Sequence, residues 1–214
     1  MNKGITIGIG AALLVGLVAG GRARGQDGDG SAALFQQSYD EEAAGRQAAA
    51  LAALDRLPEA RAVGYVAQLR RGWLYYRLGR NLEAIEAYGK AAALAPGSVE
   101  ARVGMLLPLL GERRWSSAEK TAREALKIEP GNYLATLRLA WSLYNLGRYG
   151  EAVTAYKKLS DAYPGDVEVR TGLGWALLKH GRTAEAAAQF REVLDVSPKN
   201  TLARDGLAAA GGKS

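Results

Sequence analysis

Length, composition and charge restrict what this chain can be. It has 214 residues, 48% of them apolar, a formal net charge of +6 at pH 7 and no cysteine. That apolar fraction allows a substantial core, and the abundance of alanine, leucine, arginine and glutamate favours an all-helical fold over disorder. The lack of cysteine excludes disulfides, thiolate metal sites and a cysteine nucleophile. Because basic and acidic residues alternate after Ser31, nucleic acid is not an expected partner.

The N-terminal segment is predicted to direct export. Residues 5–18 are almost uninterruptedly apolar, a lysine precedes them, and small residues follow them. This order predicts a signal peptide over residues 1–23, a flexible linker over residues 24–30 and an exported, periplasmic protein. Arg22 and Arg24 directly after the apolar run leave an alternative, in which residues 5–20 remain as an anchor in the inner membrane.

A 34-residue period organises the rest of the chain. Four prolines are separated by 34 residues each, and an alanine stands twelve residues before every one of them. Glycines recur seventeen residues before three of the prolines, with apolar residues at helical spacing on both sides. Glycine ends a helix readily and proline prevents the next one from continuing, so each period predicts a helical hairpin. The prolines are Pro96, Pro130, Pro164 and Pro198.

These residues resemble the tetratricopeptide-repeat family. The segments LGRYGEA at 146–152, LGRNLEA at 78–84 and HGRTAEA at 180–186 are similar to its signature. The resemblance implies an all-α, right-handed α-solenoid over residues 31–210. Its expected parts are a degenerate repeat at 31–64, full repeats at 65–98, 99–132, 133–166 and 167–200, a cap helix at 201–210 and a tail at 211–214.

Two departures from the pattern carry structural predictions. In the second repeat the turn glycine is displaced to Gly111, and Pro108 with Gly104 predicts a short or kinked first helix. Upstream, four residues are added between Pro58 and the first full repeat. They are predicted to lengthen the helix that runs through Arg77.

The sequence offers no pattern typical of catalysis. His180 is the only histidine, and its place beside Gly181 predicts a turn residue. We therefore predict no enzyme activity, no metal site and no cofactor.

The resemblance also implies a binding surface, because the first helix of each hairpin lines the concave side in this family. The positions 27, 23 and 20 residues before each proline would face that groove, and Val103, Leu110 and Thr171 share this phase. The residues predicted to bind a partner there are Leu69, Trp73, Tyr76, Leu107, Leu137, Trp141, Tyr144, Trp175 and Leu178. Arg70 and Arg138 are possible rim residues. The alternative is that the aromatic rings fill space between hairpins.

Together these patterns favour a non-catalytic, exported scaffold that holds a protein partner in an aromatic groove. The alternative is a carbohydrate-associated repeat protein of polysaccharide export or envelope assembly, with sugars stacking on the aromatic faces. Contact with a membrane is expected only through an N-terminal segment that is not cleaved.

Overall fold

The computed structural model describes residues 30–211, which fold into helices with no strand among them. The expected all-α class is confirmed. The helices are α1 (Ser31–Ala43), α2 (Gln47–Asp55), α3 (Glu59–Ala62), α4 (Tyr65–Arg77), α5 (Asn81–Leu94), α6 (Glu100–Gly111), α7 (Trp115–Ile128), α8 (Tyr133–Asn145), α9 (Tyr149–Ala162), α10 (Val167–Lys179), α11 (Thr183–Val196) and α12 (Thr201–Ala209). The predicted signal peptide, almost all of the linker, and residues 212–214 of the tail lie outside the described range.

The helices pack in sequence as a solenoid of hairpins. The pairs α4–α5, α6–α7, α8–α9 and α10–α11 each form one hairpin, and each first helix also packs against the next first helix. The helix α12 packs on α10 and α11 as the expected cap. None of the helices within residues 30–211 is both long and apolar enough to cross a membrane.

Small and large residues alternate where the hairpins meet. The alanine twelve residues before each proline is fully buried, as at Ala152 and Ala186. The aromatic rings of the second helices lie directly over glycines of the first helices. A Cβ atom at Gly206 would stand 2.2 Å from the Phe190 ring, and one at Gly172 would stand 2.5 Å from the Tyr156 ring. The close approach of helices in this solenoid therefore depends on the absence of a side chain at these positions.

The turns inside the hairpins use the left-handed backbone conformation. Gly79, Gly147 and Gly181 have φ of 72°, 75° and 88°, as expected for residues that end a helix. In the second repeat the equivalent residue is Arg113, with φ of 52°, so the prediction that Gly111 takes over the turn is wrong. Gly111 instead ends α6, where a Cβ atom would lie 2.9 Å from Nδ2 of Asn81.

The helix that contains Pro108 is only one residue shorter than its equivalents. α6 has 12 residues, against 13 in α4, α8 and α10, so Pro108 and Gly104 do not shorten it substantially, and a kink stays a prediction. Pro108 lies in the last turn of α6, and its carbonyl oxygen accepts a hydrogen bond from the backbone N–H of Glu112.

The N-terminal hairpin forms a small core of its own. α1 and α2 pack on α4 around buried residues that include Leu51, Leu54 and Leu74, separate from the main core. The residues added after Pro58 do not lengthen α4, contrary to expectation. They form the single turn α3, because Gly64 adopts an extended conformation with ψ of 159° and interrupts the helix before Tyr65.

Candidate functional site

The first helices of the last two hairpins form the walls of a cavity of about 690 Å³, which we call the concave pocket. On α8, Leu137, Trp141 and Tyr144 are spaced by four and three residues, so they share one face of the helix. On α10, Trp175 lies opposite them, and Leu202 of α12 closes one end. Five of the six periodic groove positions of these two repeats, all but Leu178, therefore line one pocket.

The two tryptophans of the pocket differ in how their neighbours hold their side chains. Trp141 is 43% exposed, and its ring stacks on Tyr144 with centroids 6.0 Å apart and planes 14° apart. Trp175 is fixed on two sides, since its Nε1 donates to the carbonyl oxygen of Leu202 at 3.2 Å and its ring meets Phe190 edge-on at 5.6 Å. Trp175 is thus partly a packing residue, whereas Trp141 presents a large apolar surface to solvent.

Several residues of the pocket were not predicted from the sequence. They come from the second helix α9, from the start of α10 and from the cap, and they are Tyr156, Val167, Glu168, Gly172, Asn200 and Leu202. Tyr156 stands at the periodic position that fills the hairpin core, and its ring reaches the pocket because Gly172 leaves room for it. Burial raises the pKa of the Tyr156 phenol, so the hydroxyl is neutral at physiological pH.

One ion pair neutralises the charges at the mouth of the pocket. Nη1 of Arg138 lies 3.2 Å from Oε1 of Glu168, and both residues line the pocket. Arg138 therefore lines the pocket, and its charge is balanced by Glu168 of the next hairpin. The pocket as a whole favours an apolar ligand over an anion.

The N-terminal half of the predicted groove does not join this pocket. Trp73 packs against the small N-terminal core, and its Nε1 donates a hydrogen bond to Oε1 of Glu42 in α1. The Trp73 ring also lies 6.1 Å from that of Tyr76. The leucines predicted at Leu69, Leu107 and Leu178 are partly buried and do not line the pocket.

Arg70 is not a rim residue, so that prediction is wrong. Its side chain is 5% exposed, and Nη1 lies 2.9 Å from Oε2 of Glu42. Nε of Arg70 donates to Oγ of Ser38 at 2.7 Å, and the guanidinium lies 3.6 Å from the centre of the Tyr39 ring. The residue fastens α1 to α4. The acidic and aromatic residues before Gly45 could have signalled these contacts in the sequence. The repeat pattern is too weak there to predict which of them face α4.

No group of three or more histidine, cysteine, aspartate or glutamate side chains within residues 30–211 is arranged to hold a metal ion. His180 directly follows α10 and lies against Gly150 in the first turn of α9, with Cε1 3.3 Å from the position of a Cβ atom there. The expected role of His180 as a turn residue fits this placement.

Solved structures share this architecture at low sequence identity. A tetratricopeptide repeat protein from Parabacteroides merdae is 19% identical, with a TM-score of 0.77 over 86% of this chain and 73% of that one. MamA residues 41 to the end, from Desulfovibrio magneticus, is 18% identical, with a TM-score of 0.75 over 81% of this chain and 98% of that one. Another MamA crystal structure is 21% identical, with a TM-score of 0.73 over 81% and 94%.

Sequence comparison assigns the family directly. No curated protein matches the chain significantly. Profiles of the tetratricopeptide repeat match residues 66–98, and also 108–167, 137–201 and 171–210. These matches cover more than half of the chain and lie within the helical array from α4 to α12. The chain therefore belongs to the tetratricopeptide-repeat family.

Proposed function

We propose that this protein is a non-catalytic scaffold that binds an apolar segment of a partner protein in the concave pocket. Tetratricopeptide repeats generally act as scaffolds for protein–protein interaction. The observation that carries the proposal is the half-exposed Trp141, which faces a pocket of about 690 Å³ with Trp175 on its far wall. Cavities that hold ligands typically measure about 300–1,000 Å³. This volume accommodates large apolar side chains of a bound segment.

The charges at the pocket specify the kind of segment. Because Arg138 already pairs with the exposed Glu168, an anionic ligand would have to compete with that carboxylate for the guanidinium. An aromatic or aliphatic side chain on Trp141 requires no such exchange, and aromatic residues commonly dominate binding energy at interfaces. The partner segment is therefore expected to present a large apolar residue to Trp141.

A photo-crosslinking amino acid at position 202, which lines the pocket and is exposed, tests this proposal in cells and leaves Trp141 in place. Cross-linked protein is identified by mass spectrometry, and the same probe at position 115, which does not line the pocket, is the control. A partner caught from 202 but not from 115 is the expected result. Trp141→Ala should then weaken binding of that purified partner by roughly tenfold or more, as for a central aromatic contact. Undiminished binding with helical content intact would refute the pocket as the site.

The exposed indole face of Trp141 also favours one alternative function, carbohydrate binding in polysaccharide export or envelope assembly. Intrinsic tryptophan fluorescence, titrated with soluble oligosaccharides, separates the two functions. If the pocket binds protein, oligosaccharides leave the fluorescence unchanged. A saturable change that is lost in Trp141→Ala would replace the first proposal by the second.

We further propose that the protein is exported and works in the periplasm. The apolar run at residues 5–18 and the small residues after it support cleavage within residues 19–23. Cell fractionation and the intact mass of the recovered protein test this. Loss of the first 19 to 23 residues in a periplasmic fraction is expected. A full-length protein in the membrane fraction would instead support an anchor at residues 5–20.

A further inference from the structure

A second cavity lies outside the concave pocket, between α5, α6 and α7, and has a volume of about 520 Å³. We call it the outer cavity. Its floor is apolar and includes Ile85, Met105 and Leu109. Its wall carries Arg114 and Lys120, which makes it a surface with both apolar and cationic character. Nothing in the proposed function uses it.

The repeat structure supplies an internal comparison for this cavity. An equivalent cavity of about 490 Å³ lies 68 residues further along, between α9, α10 and α11. There Arg182 occupies the place of Arg114, Glu185 that of Ser117 and Ala188 that of Lys120. The two cavities therefore share a backbone frame but differ in charge.

The missing carboxylate is the main difference. In the other three full repeats, the arginine that precedes the second helix pairs with a glutamate three residues later. The pairs are Arg80–Glu83 at 2.9 Å, Arg148–Glu151 at 2.7 Å and Arg182–Glu185 at 2.6 Å. In the second repeat, Ser117 replaces the glutamate, and within residues 30–211 no carboxylate pairs with Arg114.

A second unbalanced cation stands beside it. Lys120 is exposed and forms no ion pair within the described part of the chain, and Ser117 and Thr121 line the same cavity. Arg102 is only loosely neutralised, with Nε 3.8 Å from Oε2 of Glu124. Three cations, Arg102, Arg114 and Lys120, and one carboxylate, Glu124, thus line the outer cavity, whose net charge is positive. Serine stands at the position where the other full repeats hold the glutamate that pairs with the arginine.

We propose that the outer cavity binds a glutamate or aspartate side chain of a partner protein, with an adjacent apolar side chain of the same segment on the cavity floor. The chain itself identifies the ligand chemistry, since arginine at this position holds a carboxylate in each of the other three full repeats. A partner carboxylate would pair with Arg114, which has no glutamate three residues later because Ser117 occupies that position. Ile85, Met105 and Leu109 add an apolar requirement, so the partner is an acidic segment with a neighbouring aliphatic residue.

This site is separate from the concave pocket, and no residue lines both. The outer cavity could therefore hold its segment whether or not the concave pocket binds a ligand. Its test uses variants that leave Trp141 and Trp175 in place.

The test is an NMR titration of the ¹⁵N-labelled full chain with a capped tripeptide, leucine–glutamate–leucine. A second tripeptide with glutamine in place of glutamate is the matched probe. Saturable shifts of the Ser117, Lys120 and Thr121 amides with the first probe, and weaker or no shifts with the second, are expected. Ser117→Glu restores the recurring ion pair and should weaken binding by about tenfold, the loss of roughly one charge-assisted hydrogen bond. Lys120→Ala should weaken it without filling the cavity.

Glu185→Ser is the matched control, because it frees Arg182 in the equivalent cavity and leaves the outer cavity untouched. Binding at Ser117 and Lys120 should be unchanged in this variant.

Four results would overturn the proposal. One is equal binding of the two tripeptides or binding of neither, and another is full binding by the folded Ser117→Glu variant. A third is shifts at the same amides with inorganic phosphate but not with the tripeptide, which would make the site one for phosphate. A fourth is self-association that Ser117→Glu abolishes, which would make the occupant a second copy of the chain.

Discussion

Replacing Arg113 by glycine is expected to stabilise the protein. Arg113 lies in the turn that follows α6 and has φ of 52°, the conformation that glycine adopts at the equivalent turns of the other three full repeats. Its side chain is exposed and forms no ion pair within residues 30–211, so its removal breaks no visible interaction. The substitution changes mainly the backbone preference at one position.

The magnitude follows from two opposing terms. A residue with a Cβ atom in the left-handed region costs about 1–2 kcal/mol. Removing the Cβ atom relieves this cost, but glycine also increases the conformational entropy of the unfolded chain, which offsets roughly 0.5–1 kcal/mol of the stabilisation. The free energy of unfolding of Arg113→Gly should therefore rise by about 0.5–1 kcal/mol, which for a chain of this size raises the melting temperature by roughly 1–4 °C.

Urea and thermal unfolding, followed by far-UV circular dichroism, measure this change. Gly147→Arg is the mirror variant, because Gly147 has φ of 75° and open space around its Cβ position. It should lower stability by a similar amount. If Arg113→Gly is neutral or destabilising while Gly147→Arg is destabilising, strain at Arg113 is refuted.

Two other predictions concern packing and charge. Gly206→Ala places a Cβ atom 2.2 Å from the Phe190 ring and should lower the free energy of unfolding by about 1–3 kcal/mol. Gly131→Ala, which meets open space, is the control, and equal effects in thermal melts would contradict the packing argument. The hydrogen bond from the Arg148 guanidinium lowers the pKa of the Glu151 carboxyl. The stabilisation that this hydrogen bond provides is therefore present above the unfolded-state pKa of Glu151 and is lost as pH falls through its folded-state pKa. NMR titration of the Glu151 carboxyl should show that lowered pKa, and Arg148→Gln should raise it; an unchanged value would contradict this.

Much of the scaffold could be predicted because its causes are local and repeated. Alanine at the helix crossing and glycine at the turn act through their own size and backbone freedom. The alanine recurs in all four full repeats and the glycine in three of them. The failures occur where the phase is broken. The turn of the second repeat was assigned to Gly111 because glycine favours positive φ, but the length of α6 places Arg113 at the left-handed position instead.

The candidate site could be predicted only in part. Trp141 and Trp175 share a phase with Trp73, and Tyr144 shares one with Tyr76, so the sequence groups them as one stripe. Their surroundings differ, because Trp73 meets α1 and Trp175 meets Phe190, while Trp141 stays open. Both neighbours, α1 and Phe190 of α11, lie outside the first helices of the full repeats, from which the stripe was predicted. The periodic pattern of those helices therefore could not indicate them.

The sequence by itself determined the repeating helical hairpin, because a 34-residue period of proline, glycine and alanine acts through local backbone preference and contacts between successive helices. Only the tertiary structure decided which positions of the period remain accessible. Exposure depends on what the next hairpin presents: α1 covers Arg70, the Glu168 carboxylate neutralises Arg138, and the cap helix closes the pocket beside Trp175. Likewise, only the tertiary structure shows that Ser117, Arg114 and Lys120 line one cavity.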